Sequence, residues 1–179
     1  MKDLLRRSSV LKESVVNALN KQVMMEAKAS ASYLAKAAWC DLKGYDHSAD
    51  FFYKQSNQER EHMLKIFHYL VDMEAQAVSP IVPEVNHDYI SLKEVFETTL
   101  DQEIAVTDSI HAIVKLCRDE IDFSTEEFMR WFVEEQIEEE FIARRCLELF
   151  EVFGEDQLAV ALLDERIATI EYNPKAYKA

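Results

Sequence analysis

Only two glycines and three prolines interrupt 179 residues, and this scarcity restricts the fold more than any other feature. A sheet protein reverses direction every few residues, and glycine and proline supply most of those reversals. A chain with so few must be built from a handful of long elements, and long elements are helices. The length is enough for one domain with a sizeable core.

The breakers fall where helices must end. A first helix is expected from about Ser9 to Lys43, closed by Gly44, and a second from about Asp46 to Ala77. Ser79-Pro80-Ile81-Val82-Pro83 then opens a stretch that lasts to about Ile90. Ser91-Leu92-Lys93-Glu94 reads as a capping box, with Ser at the cap and Glu three residues on, for a third helix to about Glu120. Ser124-Thr125-Glu126-Glu127 offers a second capping box, for a fourth helix ending at Gly154. A shorter fifth is expected from about Asp156 to Glu171, ahead of Pro174. Short links join antiparallel neighbours, whereas a link of roughly a dozen residues can cross a bundle from end to end. The expectation is an all-α fold: a four-helix bundle with one long crossover between its second and third helices and a short fifth helix. Residues 1–179 form one domain in this reading. It comprises an extension over 1–8 with no assignable role, the bundle over about 9–154, and the fifth helix over about 156–171.

The formal net charge of −14 repels nucleic acid and anionic membrane surfaces and attracts cations. Neither nucleic acid nor membrane is expected as a partner. Cys40, Cys117 and Cys146 are widely spaced, form no CxxC pair and read as buried free thiols of a reducing cytoplasm. Met1 to Val10 lacks the apolar segment of a signal peptide, and no apolar run reaches membrane-spanning length. A cytoplasmic location follows as the expectation.

Residues three, four and seven apart share a helical face. On the first helix one face carries Leu19, Val23, Glu26, Ser30, Tyr33 and Ala37. The second carries Phe52, Gln55, Glu59, Ile66 and Leu70, with His62 beside Glu59. The third carries Phe96, Leu100, Glu103, Thr107, Ile110 and Val114. The fourth carries Phe128, Trp131, Glu135, Glu138, Glu139, Ile142 and Cys146. Each apolar stripe is broken at mid-length by glutamate. A buried carboxylate costs several kcal/mol unless something pairs with it, and these stripes hold no obvious basic partner. Two divalent cations would neutralise four carboxylates.

The spacing repeats. Glu59 and His62 lie 33 and 36 positions after Glu26, and Gln136 and Glu139 lie 33 and 36 after Glu103. Two such halves facing each other create two adjacent metal positions. Oxygen donors with a single imidazole suit iron or manganese. Glu84-Val85-Asn86-His87 repeats the Glu-x-x-His motif in the crossover, but a proline-flanked segment offers no stable helical face, so it reads as loop. His47, His68, His87 and His111 read as surface or packed residues rather than ligands.

With these residues in place the chain resembles the bacterial non-haem ferritins, of the ferritin-like di-iron superfamily, from about Leu19 to Glu171. The specific pieces are Leu19-Asn20-Lys21-Gln22 leading to Glu26, Ala38-Trp39-Cys40, Gln58-Glu59-Arg60-Glu61-His62-Met63, and Trp131-Phe132-Val133-Glu134-Glu135-Gln136-Ile137-Glu138-Glu139-Glu140. The resemblance implies that Glu26, Glu59 and His62 hold a first iron. Glu59 then bridges to a second iron held with Glu103 and Glu139, and Gln136 hydrogen-bonds nearby. Tyr33 matches a tyrosine beside the centre, either an electron donor or a packed aromatic with a satisfied hydroxyl. A third iron position would be lined by Glu135, Glu138 and Glu139 together with residue 58. The family commonly has glutamate there, and the neutral amide of Gln58 is a weaker ligand for a hard cation, so that position is expected to be weakened. Bacterioferritin would need Glu-x-x-His on the fourth helix and a haem-binding methionine after Glu59. This chain has Gln136-x-x-Glu139 and Arg60, so no haem is expected.

The function implied is iron storage with ferroxidase activity. Ferrous iron is oxidised by O2 or H2O2 at the paired site and kept as hydrated ferric oxide in a hollow shell of twenty-four copies. A di-iron oxidoreductase acting on an organic substrate without storage is the alternative, and a plain structural bundle the third reading.

Overall fold

The computed structural model describes residues 11–154 and 156–173. Among the described residues it contains five helices and no strand: α1 (Glu13–Lys43), α2 (Asp46–Asp72), α3 (Leu92–Asp119), α4 (Phe123–Phe153) and α5 (Gln157–Ile167). α1 packs along α2, α3 along α4, and α1 against α3, while α5 touches α2 and α4. This is the four-helix bundle with a short fifth helix that the spacing of breakers predicts. The extension over 1–8, the start proposed at Ser9 and the stop at Pro174 lie outside the described residues.

Three helix ends use one device, a left-handed residue that turns the last carbonyls inward. At Gly44 (φ 78°) the N–H groups of Gly44 and Tyr45 reach the carbonyls of Asp41 and Cys40. α2 closes the same way at Glu74 (φ 55°), with Glu74 donating to Val71 and Ala75 to Leu70. It therefore stops at Asp72, five residues short of the expected Ala77. α3 closes at Ile121 (φ 59°), with Ile121 donating to Arg118 and Asp122 to Cys117.

Starts are set by side chains. Ser91 accepts the Glu94 N–H at 3.1 Å, and the Glu94 carboxylate accepts the Ile90 N–H at 2.6 Å. α4 is capped by Asp122, not Ser124: Asp122 accepts the Thr125 N–H at 3.0 Å, so the cap lies two residues before the expected one. Asp156 caps α5, which ends at Ile167 rather than Glu171.

The early end of α2 lengthens the crossover to residues 73–91. It is pinned to α1 at two places. Asn20 donates to the Gln76 carbonyl at 2.9 Å and accepts the Val78 N–H at 2.8 Å. Near the other end Tyr89 meets Trp39 edge-on, with ring centroids 5.7 Å apart. The anchors lie nineteen positions apart on α1, or about 28 Å of helix, so the segment runs the length of the bundle.

The apolar core is divided. One cluster, around Tyr33, Phe52, Phe96 and Phe150, sits toward the α5 end. The other, around Leu19, Val23, Ile66, Ile110 and Phe132, sits toward the opposite end. Between them lies a layer of buried polar side chains, Glu26, Glu59, His62, Glu103, Gln136 and Glu139.

Two helix faces are turned from those expected. α4 buries Met129, Phe132, Gln136, Glu139, Ala143 and Cys146, leaving Phe128, Trp131, Glu135, Glu138 and Ile142 half-buried on its flank. Phe128 stacks on Tyr69 at 3.9 Å and Trp131 on Lys65, so these rings cover the α2–α4 seam rather than the centre. α3 likewise buries Val95, Thr99, Val106 and Ile113, with Leu100, Thr107 and Val114 at its edge.

Candidate metal centre

Glu26 on α1 and Glu59 and His62 on α2 converge at mid-bundle, with one potential ligand atom from each within 4.8 Å of the others. Among the described residues this is the one trio drawn so close. His62 Nδ1 lies 3.2 Å from Glu59 Oε2, and the ring is clamped edge-on by Trp131 and Phe132 at 5.3 and 6.1 Å. Glu103 stands across from this trio. The Tyr33 hydroxyl donates to its Oε1, joined by Gln102 Nε2 at 3.3 Å, while Gln136 Nε2 lies 3.2 Å from both its Oε2 and its backbone carbonyl. Glu139 is buried beside them.

The electrostatics of the layer are unfavourable without a cation. Glu26, Glu59 and Glu139 hold their protons well above the usual carboxylate range. Burial is the main cause for all three. Repulsion comes next, from Glu59 on Glu26 and from Glu103 on Glu59 and Glu139. Burial and then Glu103 also raise the Tyr33 phenol. Glu26 Oε2 is the one buried side-chain oxygen among the described residues without a donor. It can bond to the facing Glu59 carboxylate only while one of the two carries a proton. Carboxylates forced together in low dielectric, with an imidazole among them, form a donor set for hard or borderline divalent cations.

Glu135 and Glu138 are half-buried and Gln58 is exposed. Burial and then Glu135 raise the Glu138 carboxyl. The Gln58 Oε1 accepts from Gln55 Nε2 at 2.8 Å, so its one oxygen is already engaged. Glu84 and His87 lie exposed in the non-helical crossover, as the proline context predicts.

A basic group does stand near the layer, contrary to the sequence reading. Lys36 is buried, donates to Thr99 Oγ1 at 2.8 Å and lies 5.1 Å from the Tyr33 ring centroid. Among the described residues it makes no ion pair. Burial lowers its ammonium to about 7, opposed chiefly by Glu103. It borders a cleft of about 430 Å³ between α1, α3 and the crossover. Periodicity places Lys36, three residues after Tyr33, on the buried face, but a lysine there reads as solvated because of its charge. Gln22 sits one turn before Glu26, and a neutral amide there carries no charge to mark it within the apolar stripe.

The ferritin-like domain family matches residues 16–153. The chain is similar to a protein of Haemophilus influenzae described as a "probable bacterial non-heme ferritin-like protein". The two are 37% identical over 161 residues, covering 90% of this chain and 98% of that protein. A bacterial non-heme ferritin of Staphylococcus aureus is 33% identical over 160 residues, covering 89% and 96%. Among solved structures, an open pore ferritin from the hyperthermophilic archaeon Archaeoglobus fulgidus superposes with a TM-score of 0.86 at 30% identity. That match covers 90% of this chain and 99% of that one.

Proposed function

The chain belongs to the ferritin family, and from that premise we propose that it is an iron-storage subunit with ferroxidase activity. One observation carries the reading: a buried layer of four glutamates and a histidine, divided between two helix pairs, that the fold leaves short of positive charge. Iron is the substrate and cargo.

Glu26, Glu59 and His62 take the first Fe2+, and Glu59 is shared with the second, held by Glu103 and Glu139. Gln136 and Tyr33 hold the Glu103 carboxylate in place by donating to its two oxygens. Anionic ligands favour the more highly charged ferric product, which makes the carboxylates part of the driving force for oxidation. Two ferrous ions release two electrons. H2O2 takes them with two protons to give two waters, and O2 takes them to give peroxide. Glu135, Glu138 and Glu139 line a third position, weakened because Gln58 offers a neutral amide oxygen in place of a carboxylate.

Storage requires a compartment, here a shell of twenty-four copies in the cytoplasm. The largely exposed Leu42 (87%), Ile81 (85%) and Ile90 (93%) support burial against neighbouring copies. Among the described residues no helix is long and apolar enough to cross a membrane.

The test is light scattering on size-fractionated protein, combined with aerobic ferrous oxidation and iron analysis of the recovered assembly. A large assembly that oxidises Fe2+ and retains many ferric ions per subunit is expected. Protein that neither assembles nor consumes Fe2+ would refute the proposal. A small oligomer that oxidises iron yet retains none would favour a di-iron oxidoreductase without storage.

A further inference from the structure

Gln22 is fully buried on α1, one turn before Glu26 and on the same face. Its amide Nε2 donates to Glu26 Oε1 at 2.8 Å. Its Oε1 accepts the hydroxyl of Ser109, on α3, at 2.5 Å. The carboxylate sets which end of the amide is which, because the nitrogen faces an ionised oxygen without repulsion, and the Ser109 hydroxyl then donates to the oxygen that remains. Glu26 Oε1 is thereby occupied, and Oε2 is the buried oxygen left without a donor. Glu103 contrasts with it, since both of its oxygens accept protein hydrogen bonds.

We infer that Gln22 and Ser109 form a positioning strut that fixes Glu26 as a one-oxygen ligand, presenting Oε2 to an incoming divalent cation. The inference rests on the metal-centre reading above and deepens it. An outer amide that already donates to one carboxylate oxygen orients the ligand before the ion arrives. It also opposes the swing that would let both oxygens close on one ion. Ser109 acts through Gln22 and touches no ligand. Its hydroxyl keeps the amide from flipping and bridges α3 to α1, so the strut spans two helices of the bundle.

The experiment uses full-length, metal-free protein titrated with Co2+, whose visible absorption weakens as coordination number rises. Ser109→Ala, Ser109→Thr and Gln22→Leu are compared with wild type, with Glu26→Ala as control and thermal melting as a check on folding. Wild type and Ser109→Thr are expected to give the same band. Ser109→Ala and Gln22→Leu are expected to lose band intensity as Glu26 closes with both oxygens, and to bind the first ion roughly tenfold more weakly. Unchanged band and affinity in both variants would overturn the strut, and weaker binding with an unchanged band would overturn the one-oxygen assignment. If Glu26→Ala gives the wild-type titration, Glu26 is not a ligand and the metal-centre reading itself fails, which separates the two outcomes.

Discussion

Lys36 and the layer glutamates titrate in opposite senses, and together they set how the metal-free protein responds to pH. Glu26, Glu59 and Glu139 bind protons more tightly when folded than when unfolded. Their contribution to stability is full below the ordinary carboxylate value and is lost as pH rises through the raised folded values. A divalent cation replaces those protons, so it should help most where they are absent. Zn2+, which has no redox chemistry, is expected to raise the melting temperature of metal-free protein more at pH 7.5 than at pH 5.5. Equal gains at both values, followed by scanning fluorimetry, would show that the ion binds elsewhere. Lys36 loses its proton at about 7 in the fold against 10.5 ordinarily. Its penalty is complete below 7 and fades as pH rises toward 10.5, so this group makes the protein more stable with rising pH. Lys36→Met should remove this upward contribution, so that between pH 7 and 9 the melting temperature of the variant rises less, or falls more, than that of wild type, and a variant that keeps the wild-type slope would count against this account. The glutamates were legible in the sequence because a charge at regular spacing within an apolar stripe is conspicuous. Lys36 was not, because a single lysine three residues after Tyr33 reads as solvated on its charge although its register is that of the buried face.

At the scale of elements, helix starts were readable where one polar side chain stood alone, as at Ser91, and misread where two candidates stood close together. Asp122 outcompetes Ser124 because α3 closes at Ile121, which leaves Asp122 next in the chain with non-helical backbone (φ −98°, ψ 77°) and its carboxylate on the Thr125 N–H. Helix stops were readable at glycine and, within one residue, at the end of α3, whereas the end of α2 was placed five residues late. Gly44 announced itself, whereas Glu74 and Ile121 perform the same closure with side chains that the left-handed region disfavours. Ile121 is the more strained, since a β-branched residue rarely adopts positive φ, and it is 73% exposed, so little packing depends on it. Ile121→Gly removes a local penalty of about 1–2 kcal/mol and adds about 0.5–1 kcal/mol of unfolded-state entropy. A net stabilisation of roughly 0.5–1 kcal/mol is expected from denaturant unfolding. Destabilisation would mean that the exposed side chain makes contacts worth more than its backbone strain.

At the scale of the whole molecule, the polar layer splits one core into two, and the fold tolerates this because both ends are closed independently. The α5 end is closed by a cap borrowed from a distant part of the chain. Asp164 on α5 is buried and accepts the N–H groups of His47 and Ser48 at 3.2 and 2.8 Å, and the Ser48 hydroxyl at 2.5 Å. Those are first-turn amides of α2, which no adjacent side chain caps. Sequence could not reveal the pairing, because the partners lie more than a hundred positions apart. Asp164→Ala should cost about 2 kcal/mol, as loss of a helix cap does, and should release α5 from α2. Amide exchange would detect this as faster exchange confined to α5 and the start of α2, and uniform protection would reject it. The surface makes a further demand. Ile81 and Ile90 sit on the crossover that runs the length of the bundle, both almost fully exposed, in a chain whose −14 charge would otherwise keep copies apart. The segment is pinned at Asn20 and Trp39, and covering its exposed isoleucines on another copy can offset that repulsion. Ile81→Glu combined with Ile90→Glu puts like charges on the crossover without touching the core. The double variant is expected to sediment as small species, to keep its helical circular dichroism and to retain no ferric core, whereas a variant that still assembles fully would place the contact between copies elsewhere on the surface.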